Sequence, residues 1–362
     1  MLKSQQRIPD EYILMSEQER DERIRAIKAK FGSKLVILGH HYQRDEVIQH
    51  ADYRGDSLKL AQLAAQEKEA EYIVFCGVHF MAETADMLTA SKQKVILPDL
   101  GAGCPMADMA EIEEVEECWK LLKAKYNQEI IPVTYVNSDA EVKAFCGRNN
   151  GMTCTSSNAL KIFKKLLGEG KSILFMPDEH LGRNTGLEWG LGEQDILLWN
   201  RKNPGEVKLP ETAPRLILWD GFCTVHQRFE PQQVDEVREK YPDVKVIVHP
   251  ECSHDVVERA DLSGSTDFII RQVTGSPAGS VWAIGTEINL VHRLAQENPD
   301  KTIISLNENV CMCVMMNRIS QPHLLWTLEN ILKGKIVNQI KVEEKITGEA
   351  ISALNRMLDI SK

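Results

Sequence analysis

The sequence of 362 residues lacks features that would mark several large classes of protein. No apolar run approaches the roughly 18–20 residues that a membrane-spanning helix needs, so we expect no membrane association. The amino-terminal stretch is polar and has no apolar signal-peptide core, which favours a cytoplasmic location. Lysine and arginine (43) are fewer than aspartate and glutamate (53), and a net charge of −10 argues against nucleic acid as a partner. The net charge does not exclude small anionic substrates, because a local pocket can be positive on an acidic protein.

The nine cysteines contain no C-x-x-C pair, so the usual zinc and ferredoxin spacings are missing as well. A disulfide framework is not expected in a reducing cytoplasm, which leaves metal binding or catalysis as roles for the thiols. Two loops favour a ligand role: Cys104 lies in the Gly-rich GAGCPMA, and Cys223 lies in GFCTVH beside His226. The role of Cys252 stays open. We interpret four others as structural: Cys76, Cys118, Cys146 and Cys154.

The sequence does contain a regular alternation of short β-branched runs with longer amphipathic stretches. This alternation predicts an α/β fold with parallel strands, because such strands are buried on both faces and are joined by helices. The predicted strands lie at 34–39, 71–77, 94–98, 130–135, 172–177, 216–220, 244–250, 281–285 and 302–306.

These strands fall into three groups of three with one common layout. In each group the first strand runs into a polar loop, after which a hydroxyl side chain is expected to cap a helix. The expected caps are Ser57, Ser156, and the pair Ser265 and Thr266. The third strand of each group is followed by a cysteine, which is Cys104, Cys223, and either Cys311 or Cys313. We therefore predict three similar αβα three-layer units with parallel sheets around a pseudo-threefold axis, with ligands at the carboxyl ends of the strands.

The layout also predicts how the chain divides. We expect a first unit at 1–106, a second at 107–224 and a third at 225–316, each with one of the three cysteines. The remainder, 317–362, is expected to form helices that pack back on the body. Three thiolates cannot complete a four-iron cluster, so one iron would stay open to water or substrate. An open metal position suits a Lewis-acid catalyst better than an electron carrier.

A series of motifs in this chain resembles the quinolinate synthase family. In order they are GHHYQ, GDSLKLA, GVHFMAETA, LPDLGAGCPMA, TYVNSD, TSSNA, MPDEHLGRN, GFCTVHQRF, HPEC, GSTDFI, GTE and CVMMN, and they cover about residues 34–316. The resemblance implies three αβα domains around a [4Fe–4S] cluster with three cysteine ligands. It also implies a reaction, in which iminoaspartate and dihydroxyacetone phosphate give quinolinate, phosphate and water for de novo NAD synthesis. L-aspartate oxidase would be a possible partner as the source of iminoaspartate.

The resemblance also implies residue roles. The cluster ligands would be Cys104, Cys223 and Cys313; the family pattern C-x-x-M fits Cys313 with Met316, whereas Cys311 would need a methionine at Val314. Residues implied to bind substrate are His40, Ser57, Tyr135, Val136, Asn137, Ser156, His249, Pro250, Glu251 and Thr266. Residues expected to carry the acid–base chemistry are Tyr42, Glu251 and His249.

Other interpretations fit parts of the pattern. Taken singly, Ser57 would be a helix cap and Asn137 a turn residue. Asp178 and Asn184, in MPDEHLGRN, could support the site or act as hinges, and the sequence does not decide between these roles. An open-iron hydro-lyase would share the cluster, and an iron–sulfur sensor would need no substrate pocket. A zinc protein is disfavoured by thiolates so far apart in the sequence.

Overall fold

The computed structural model describes residues 7–307 and 312–361. The chain divides into two compact units, and neither is one continuous stretch of sequence. The first unit comprises Met1–Cys104 and Met312–Glu343, and the second comprises Pro105–Cys311 and Glu344–Lys362. No helix in the described ranges combines the length and the apolar character that a membrane crossing requires. The four-segment division expected from the sequence stays a prediction.

The described residues form three sheets. Strands β1 to β4 lie in the first unit, at Leu35–His40, Tyr53–Gly55, Tyr72–Cys76 and Lys94–Ile96. In the second unit β5 to β9 form one sheet, at Ile130–Tyr135, Met152–Cys154, Ser172–Met176, Ile196–Trp199 and Leu216–Trp219. A further sheet there contains β10 to β13, at Lys245–Val248, Leu262–Ser263, Val281–Gly285 and Thr302–Ser305. The last strand, β14, joins the sheet of the first unit at Gln339–Ile340.

Helices connect and flank these strands. Helices α1 to α5 are Asp10–Leu14, Glu17–Phe31, Asp45–Ile48, Ser57–Gln66 and His79–Leu88. Helices α6 to α10 are Ile112–Lys125, Ala140–Arg148, Ala159–Gly168, Glu179–Trp189 and Pro231–Lys240. Helices α11 to α15 are His254–Arg259, Thr266–Thr274, Ile288–Glu297, Gln321–Leu332 and Glu344–Ser361. Short 3₁₀ turns occur at Gly32–Lys34, Ala107–Met109, Glu193–Asp195, Pro204–Glu206, His226–Arg228 and Met316–Arg318.

The three sheets share one strand order. From one edge the first runs β2, β1, β3, β4; the second runs β6, β5, β7, β9; and the third runs β11, β10, β12, β13. Every neighbouring pair in these runs is parallel. The first sheet adds β14, antiparallel to β4, and the second adds β8, parallel to β9. The predicted α/β class with repeated αβα units is confirmed, whereas the arrangement about a pseudo-threefold axis stays a prediction.

This strand order determines where ligands can bind. In each sheet the chain leaves the first strand (β1, β5 or β10) for a neighbour on one side and then crosses to the neighbour on the other side. Open α/β sheets bind their ligands at such switch points, in the crevice beyond the carboxyl ends of the strands. The polar loops that follow β1, β5 and β10 therefore occupy the expected ligand-binding positions of their sheets.

All nine predicted strands are present, because their apolar runs are continuous enough to be buried on both faces. Every residue of β1, β5 and β7 is buried. The sequence missed β2, β6, β8, β11 and β14, which have only two to four residues each. All five lie at sheet edges, where pairing with a single neighbour and not a long apolar run defines the strand.

The second unit is completed by the last helix of the chain. Helix α15 packs on α7 so closely that a Cβ on Gly147 would lie 1.8 Å from the carbonyl oxygen of Glu349. Arg356 of α15 donates to the carbonyl oxygens of Gly147 and Gly151 at 3.0 and 2.7 Å. A cation at the carboxyl end of a helix satisfies free carbonyl groups and opposes the helix dipole. Glycine at 147 is therefore required for the docking of α15.

Candidate functional site

The described cysteines separate into two groups by exposure. Cys104, Cys223 and Cys313 are half-buried, and the other five are buried. Burial raises the pKa of Cys76 to about 12, and it raises the pKa values of the other thiols interpreted as structural: Cys118, Cys146 and Cys154. Thiolates are the species that bind metals, so these four are inert. Cys252 is also buried, with its Sγ 3.7 Å from the carbonyl oxygen of Gly285, and Cys311 lies outside the described residues.

The three half-buried cysteines precede turns with one backbone pattern. A 3₁₀ turn begins three residues after each of them, at Ala107, His226 and Met316. In each loop the fifth residue after the cysteine donates to the carbonyl group of the second, at 3.2, 3.2 and 3.3 Å. The sixth residue donates to the third, at 3.2, 3.3 and 3.3 Å. The repeat that the sequence showed only in layout is therefore also present in backbone hydrogen bonding.

In the first unit a buried carboxylate ties the Cys104 loop to the turn after Cys313. Asp99 is 1% exposed; its Oδ1 accepts from the backbone N–H of Gly101 at 2.7 Å, and its Oδ2 lies 3.0 Å from Nε of Arg318. A Cβ on Gly101 would come 2.5 Å from the Arg318 guanidinium, so a larger residue there would have to displace this group. Asp99 and Arg318 thus hold together two loops that each carry a candidate ligand.

The backbone of Cys313 is held by its own turn and by the loop after β1. Asn317 donates to the carbonyl oxygen of Cys313 through its backbone N–H at 3.1 Å and through Nδ2 at 2.9 Å. Arg44 in turn donates to Asn317, from Nε to Oδ1 at 2.9 Å and from Nη2 to the backbone oxygen at 2.7 Å. Gln43, fully buried, donates to the carbonyl oxygen of Met316 at 3.1 Å. These bonds fix the Cys313 loop beside the GHHYQ motif.

His40 and Tyr42 lie together at the end of β1. The Nδ1 atom of His40 accepts from the backbone N–H of Tyr42 at 3.1 Å, and the two rings meet edge to face with centroids 4.7 Å apart. His40 is 5% exposed and Tyr42 is half-buried. The tyrosine is therefore the more accessible of the two, and its backbone N–H occupies Nδ1 of His40.

Two of the expected hydroxyl caps are wrong. Asp56 caps α4, with its Oδ1 accepting from the N–H of Lys59 at 2.8 Å, so Ser57 is the first helical residue. Asn158 stands at the start of α8 and leaves Ser156 in the preceding turn, half-buried. Aspartate caps as well as serine does, so the sequence alone did not separate Asp56 from Ser57; the side chain of Asn158 makes no capping hydrogen bond to α8 and accepts from the N–H of Thr155. The cap by Ser265 on α12 is confirmed, at 3.3 Å from the N–H of Phe268.

In the second unit Asp178 anchors the Cys223 loop. It is fully buried; Oδ1 accepts from the N–H of Leu181 at 2.6 Å, and Oδ2 accepts from the N–H of Cys223 at 3.2 Å. Burial and the charge of Glu251 raise the pKa of Asp178 well above its ordinary value. Asp178 therefore both caps α9 and positions a candidate metal ligand.

Glu251 is the centre of a buried polar network. His226 donates through Nδ1 to Oε2 of Glu251 at 2.8 Å, and its Nε2 lies 3.2 Å from Oγ1 of Thr286. The rings of His226 and His249 are stacked, with centroids 4.5 Å apart and an interplanar angle of 18°. Tyr135 also makes a side-chain hydrogen bond to Glu251. The end of β5 and the loops after β9 and β10 therefore converge on one carboxylate, and the loop after β12 reaches His226.

The charge state of this network follows from its burial. Burial and, to a smaller extent, the neighbouring His226 lower the pKa of His249 to about 3, although the charge of Glu251 opposes this shift. Burial alone would raise the pKa of Glu251, but His249, His226 and the hydrogen bonds from His226 and Tyr135 lower it to about 2. At neutral pH the network therefore contains an ionised Glu251 and a neutral His249.

Three ligand types meet at Cys223. Its Sγ, a ring nitrogen of His226 and a carboxylate oxygen of Glu251 all lie within 4.8 Å of one another. Thiolate, imidazole and carboxylate are ligands for zinc and for iron. The second unit thus contains a candidate metal site of its own.

The HPEC loop borders a cavity of about 560 Å³ in the second unit. Ser156 and Pro250 both line it. Asn184 also lines it and holds the loop, because its Nδ2 donates to the carbonyl oxygens of Pro250 and Cys252, each at 2.9 Å. Thr266, the first residue of α12, is buried, Asn137 is half-buried, and the N–H of Val136 donates to the carbonyl oxygen of Cys154 at 2.8 Å.

The structure thus assigns the predicted residues to the two units. His40, Tyr42, Ser57, Cys104 and Cys313 belong to the first, and the others belong to the second. It decides the roles of Asp178 and Asn184, which hold loops that carry candidate site residues. It also adds Thr286, Asp99 and Arg318, which sequence reasoning missed; the only signal was that they lie in or beside the motifs GTE, LPDLGAGCPMA and CVMMN.

Replacing Arg318 by glutamine should loosen the Cys104 loop. Asp99 would keep its hydrogen bond from the Gly101 N–H but lose its ion pair with Arg318. We expect the free energy of unfolding to fall by about 1–3 kcal/mol. In metal-free protein, Cys104 should also be alkylated faster than in the parent, as measured by peptide mapping. In the matched control Arg259→Gln, which breaks an exposed ion pair with Asp235, stability should change by about 0.5 kcal/mol or less. Equal alkylation rates in the variant and the parent would contradict the role of Arg318.

The buried His249 should make the protein sensitive to acid. Its pKa is about 6.5 in an unfolded chain and about 3 in the fold. Below pH 6.5 the unfolded chain therefore binds a proton that the folded protein does not. The free energy of unfolding is highest above pH 6.5 and falls as the pH is lowered towards 3. Between pH 7 and pH 5 the free energy of unfolding of the parent should fall by about 2 kcal/mol more than that of His249→Gln. This difference is measured by chemical denaturation at each pH, with all samples either metal-free or loaded with the same metal. The exposed control His292→Gln should follow the parent, and parallel curves for parent and His249→Gln would contradict the prediction.

These features define a candidate metalloenzyme of the α/β class. It has parallel sheets with one repeated strand order, half-buried cysteines on anchored loops, and a buried histidine–glutamate pair. Residues 22–359 match the family described as "Quinolinate synthetase A protein". The chain belongs to this family.

Full-length relatives agree with this assignment. Quinolinate synthase of Bacillus subtilis (strain 168) is 53% identical over 355 residues, covering 98% of this chain and 96% of the relative. That of Geobacillus sp. (strain WCH70) is 54% identical over 355 residues, covering 98% and 97%. That of Bacillus mycoides (strain KBAB4) is 53% identical over 353 residues, covering 97% and 96%.

Proposed function

We propose that this protein is a quinolinate synthase, which condenses iminoaspartate with dihydroxyacetone phosphate to give quinolinate, phosphate and water in de novo NAD biosynthesis. Family membership over nearly the whole chain supports the activity. The structural observation that carries the proposal is the set of three half-buried cysteines on loops with one backbone pattern. We further propose a cytoplasmic location and a supply of iminoaspartate by an L-aspartate oxidase.

The proposed cofactor is a [4Fe–4S] cluster ligated by Cys104, Cys223 and Cys313. The residues fit this group, because these thiols are half-buried whereas the other described thiols are buried. Their loops are also held by polar side chains that do not themselves ligate, as is usual for metal ligands. When bound, such a cluster with one open iron supplies a Lewis acid.

The proposed proton transfers use the Glu251 network. A carboxylate with a pKa of about 2 is a weak base by itself, because efficient proton transfer needs a pKa near the working pH. We therefore propose that Glu251 acts through His226, whose Nδ1–H it accepts, so that a proton gained at Nε2 is stabilised by the carboxylate. His249 would serve as a neutral hydrogen-bonding partner, and Tyr42 would hold or give a proton at its hydroxyl.

The proposed substrate contacts come from strand ends and helix starts. Ser57 and Thr266 are the first residues of α4 and α12, where free N–H groups favour carboxylate or phosphate. The remaining residues proposed to bind substrate are His40, Tyr135, Val136, Asn137, Ser156, His249, Pro250 and Glu251.

The proposal is tested by anaerobic purification, iron and sulfide analysis, and an assay for quinolinate from iminoaspartate and dihydroxyacetone phosphate. We expect about four irons per chain and quinolinate formation. A cluster without quinolinate would favour an open-iron hydro-lyase or an iron–sulfur sensor. Absence of iron under strict anaerobic handling would refute the proposed cofactor.

A further inference from the structure

The group formed by Cys223, His226 and Glu251 has the composition of a mononuclear metal site. One potential ligand atom from each residue lies within 4.8 Å of the other two. Zinc binds thiolate at about 2.3 Å and imidazole or carboxylate at about 2.0–2.2 Å, so tetrahedral ligands are separated by roughly 3.3–3.7 Å. Side-chain movements of about 1 Å would therefore close the group around an ion.

The group is already held in place. His226 and Glu251 are 2% and 3% exposed. The ring of His226 is oriented by Thr286 at Nε2 and by the Nδ1–H bond to Glu251; an ion bound at Nδ1 would displace that proton and replace this hydrogen bond, and Thr286 would stay as an outer contact. The backbone N–H of Cys223 is bound to Asp178. Such outer contacts orient ligands and tune their affinity, so little ordering entropy remains to be lost on binding.

The fourth position would be open. Cys223 is half-buried whereas its two partners are buried, so the exposed side of the group lies at the thiol. Three protein ligands and a water molecule form a common divalent-metal site.

The group occurs at only one of the three equivalent turns. The residue three positions after each cysteine is Ala107, His226 or Met316, and of these only histidine is a strong ligand for a divalent ion. The turn after Cys223 therefore differs chemically from two turns that it matches in backbone structure.

We propose that, in the cluster-free protein, Cys223, His226 and Glu251 bind a single divalent ion of the zinc type. This rests on the proposed function only in that Cys223 is also a cluster ligand. One thiolate cannot serve both sites, so the two metal states exclude each other. Zinc bound here would keep the chain inactive until it is removed.

The test uses the full chain carrying Cys104→Ser and Cys313→Ser, which lacks two cluster ligands but keeps the whole group. After treatment with a chelator it is titrated anaerobically with Co²⁺ and then with Zn²⁺. We expect one ion per chain, a thiolate-to-cobalt charge-transfer band, and displacement of cobalt by zinc. Less than half an ion per chain, or no thiolate band, would overturn the proposal.

Substitutions added to this double variant test the ligand set. Cys223→Ser should abolish the charge-transfer band, and His226→Ala or Glu251→Ala should weaken Zn²⁺ binding by at least roughly 100-fold. Tyr135→Phe, which removes a hydrogen bond to Glu251, should weaken it by about 10–100-fold. The control Cys252→Ser should bind as the double variant does. If Cys223→Ser keeps the band, or if His226→Ala and Glu251→Ala bind normally, the proposed ligand set is wrong.

The unsubstituted chain separates this proposal from the proposed function. Zinc added to cluster-free protein should reduce the iron taken up during reconstitution, and a chelator should restore it. Iron uptake unaffected by saturating zinc would overturn the mutual exclusion, whereas quinolinate formation by the reconstituted protein would still support the function. If the protein binds cobalt at this site but never makes quinolinate, the proposed metal site is supported and the proposed function is refuted.

Discussion

Serine in place of Cys104, Cys223 or Cys313 should abolish both iron binding and quinolinate formation. The serine hydroxyl is not a thiolate, and iron–sulfur clusters depend on thiolate ligands. We expect each single variant, purified anaerobically, to lose the visible absorption of the cluster and to contain less than about a tenth of the parent's iron. Circular dichroism should show the same helix and strand content, because the three thiols are half-buried and not part of the core.

Two control variants make this result specific. Cys118→Ser places a hydroxyl in the core beside Val115 and Leu122, which should cost about 1–3 kcal/mol of stability but leave the iron in place. Cys311→Ser should also keep its iron, since the family pattern assigns the third ligand to Cys313. Full iron in Cys313→Ser together with loss in Cys311→Ser would reverse that assignment. Full iron in Cys104→Ser or Cys223→Ser would refute the ligand set.

Glu251→Gln should lower kcat for quinolinate formation by about 10²–10⁴-fold, the range for loss of a group in general acid–base catalysis. The amide keeps the size of the side chain but removes the charge that would stabilise a proton on His226. The cluster content should stay near that of the parent, because Glu251 is not among the proposed cluster ligands. Steady-state kinetics with iron analysis of the same sample separates the two effects.

Glu329→Gln is the matched control. Glu329 is also buried, at 8% exposure, and it pairs with Arg23 and accepts from Tyr12. The same chemical change there should reduce stability and leave kcat within about twofold of the parent. An unchanged kcat in Glu251→Gln, or an equal loss in Glu329→Gln, would contradict the proposed role of Glu251.

The long buried strands could be predicted from the sequence, and the short edge strands could not. A run such as Leu35–His40 is buried along its whole length and begins with four apolar residues, whereas Leu262–Ser263 exists only because it pairs with β10. The antiparallel pairing of Gln339–Ile340 with β4 joins segments that are far apart in the chain. Such pairings depend on tertiary contacts, which no local pattern reveals.

The candidate site was predictable in its residues and not in its hydrogen bonding. Loop position and motif resemblance indicated Cys223, Glu251 and His249. Neither indicated that Asp178 binds the backbone of Cys223, or that Thr286 lies against His226, because these contacts depend on how strand ends from one unit converge. The neutral state of His249 likewise follows from burial, which a sequence does not display.

The division of the first unit into two stretches of sequence has a consequence for synthesis on the ribosome. Asp99 emerges with the first stretch, but its cation Arg318 belongs to the second, which begins at Met312. At roughly 5–20 residues per second, the intervening segment takes about 10 to 40 s to be made. Throughout that interval the Cys104 loop has no Arg318 to hold it, and the sheet lacks its strand β14. A nascent chain is therefore unable to complete its first unit until nearly all of the protein has been translated.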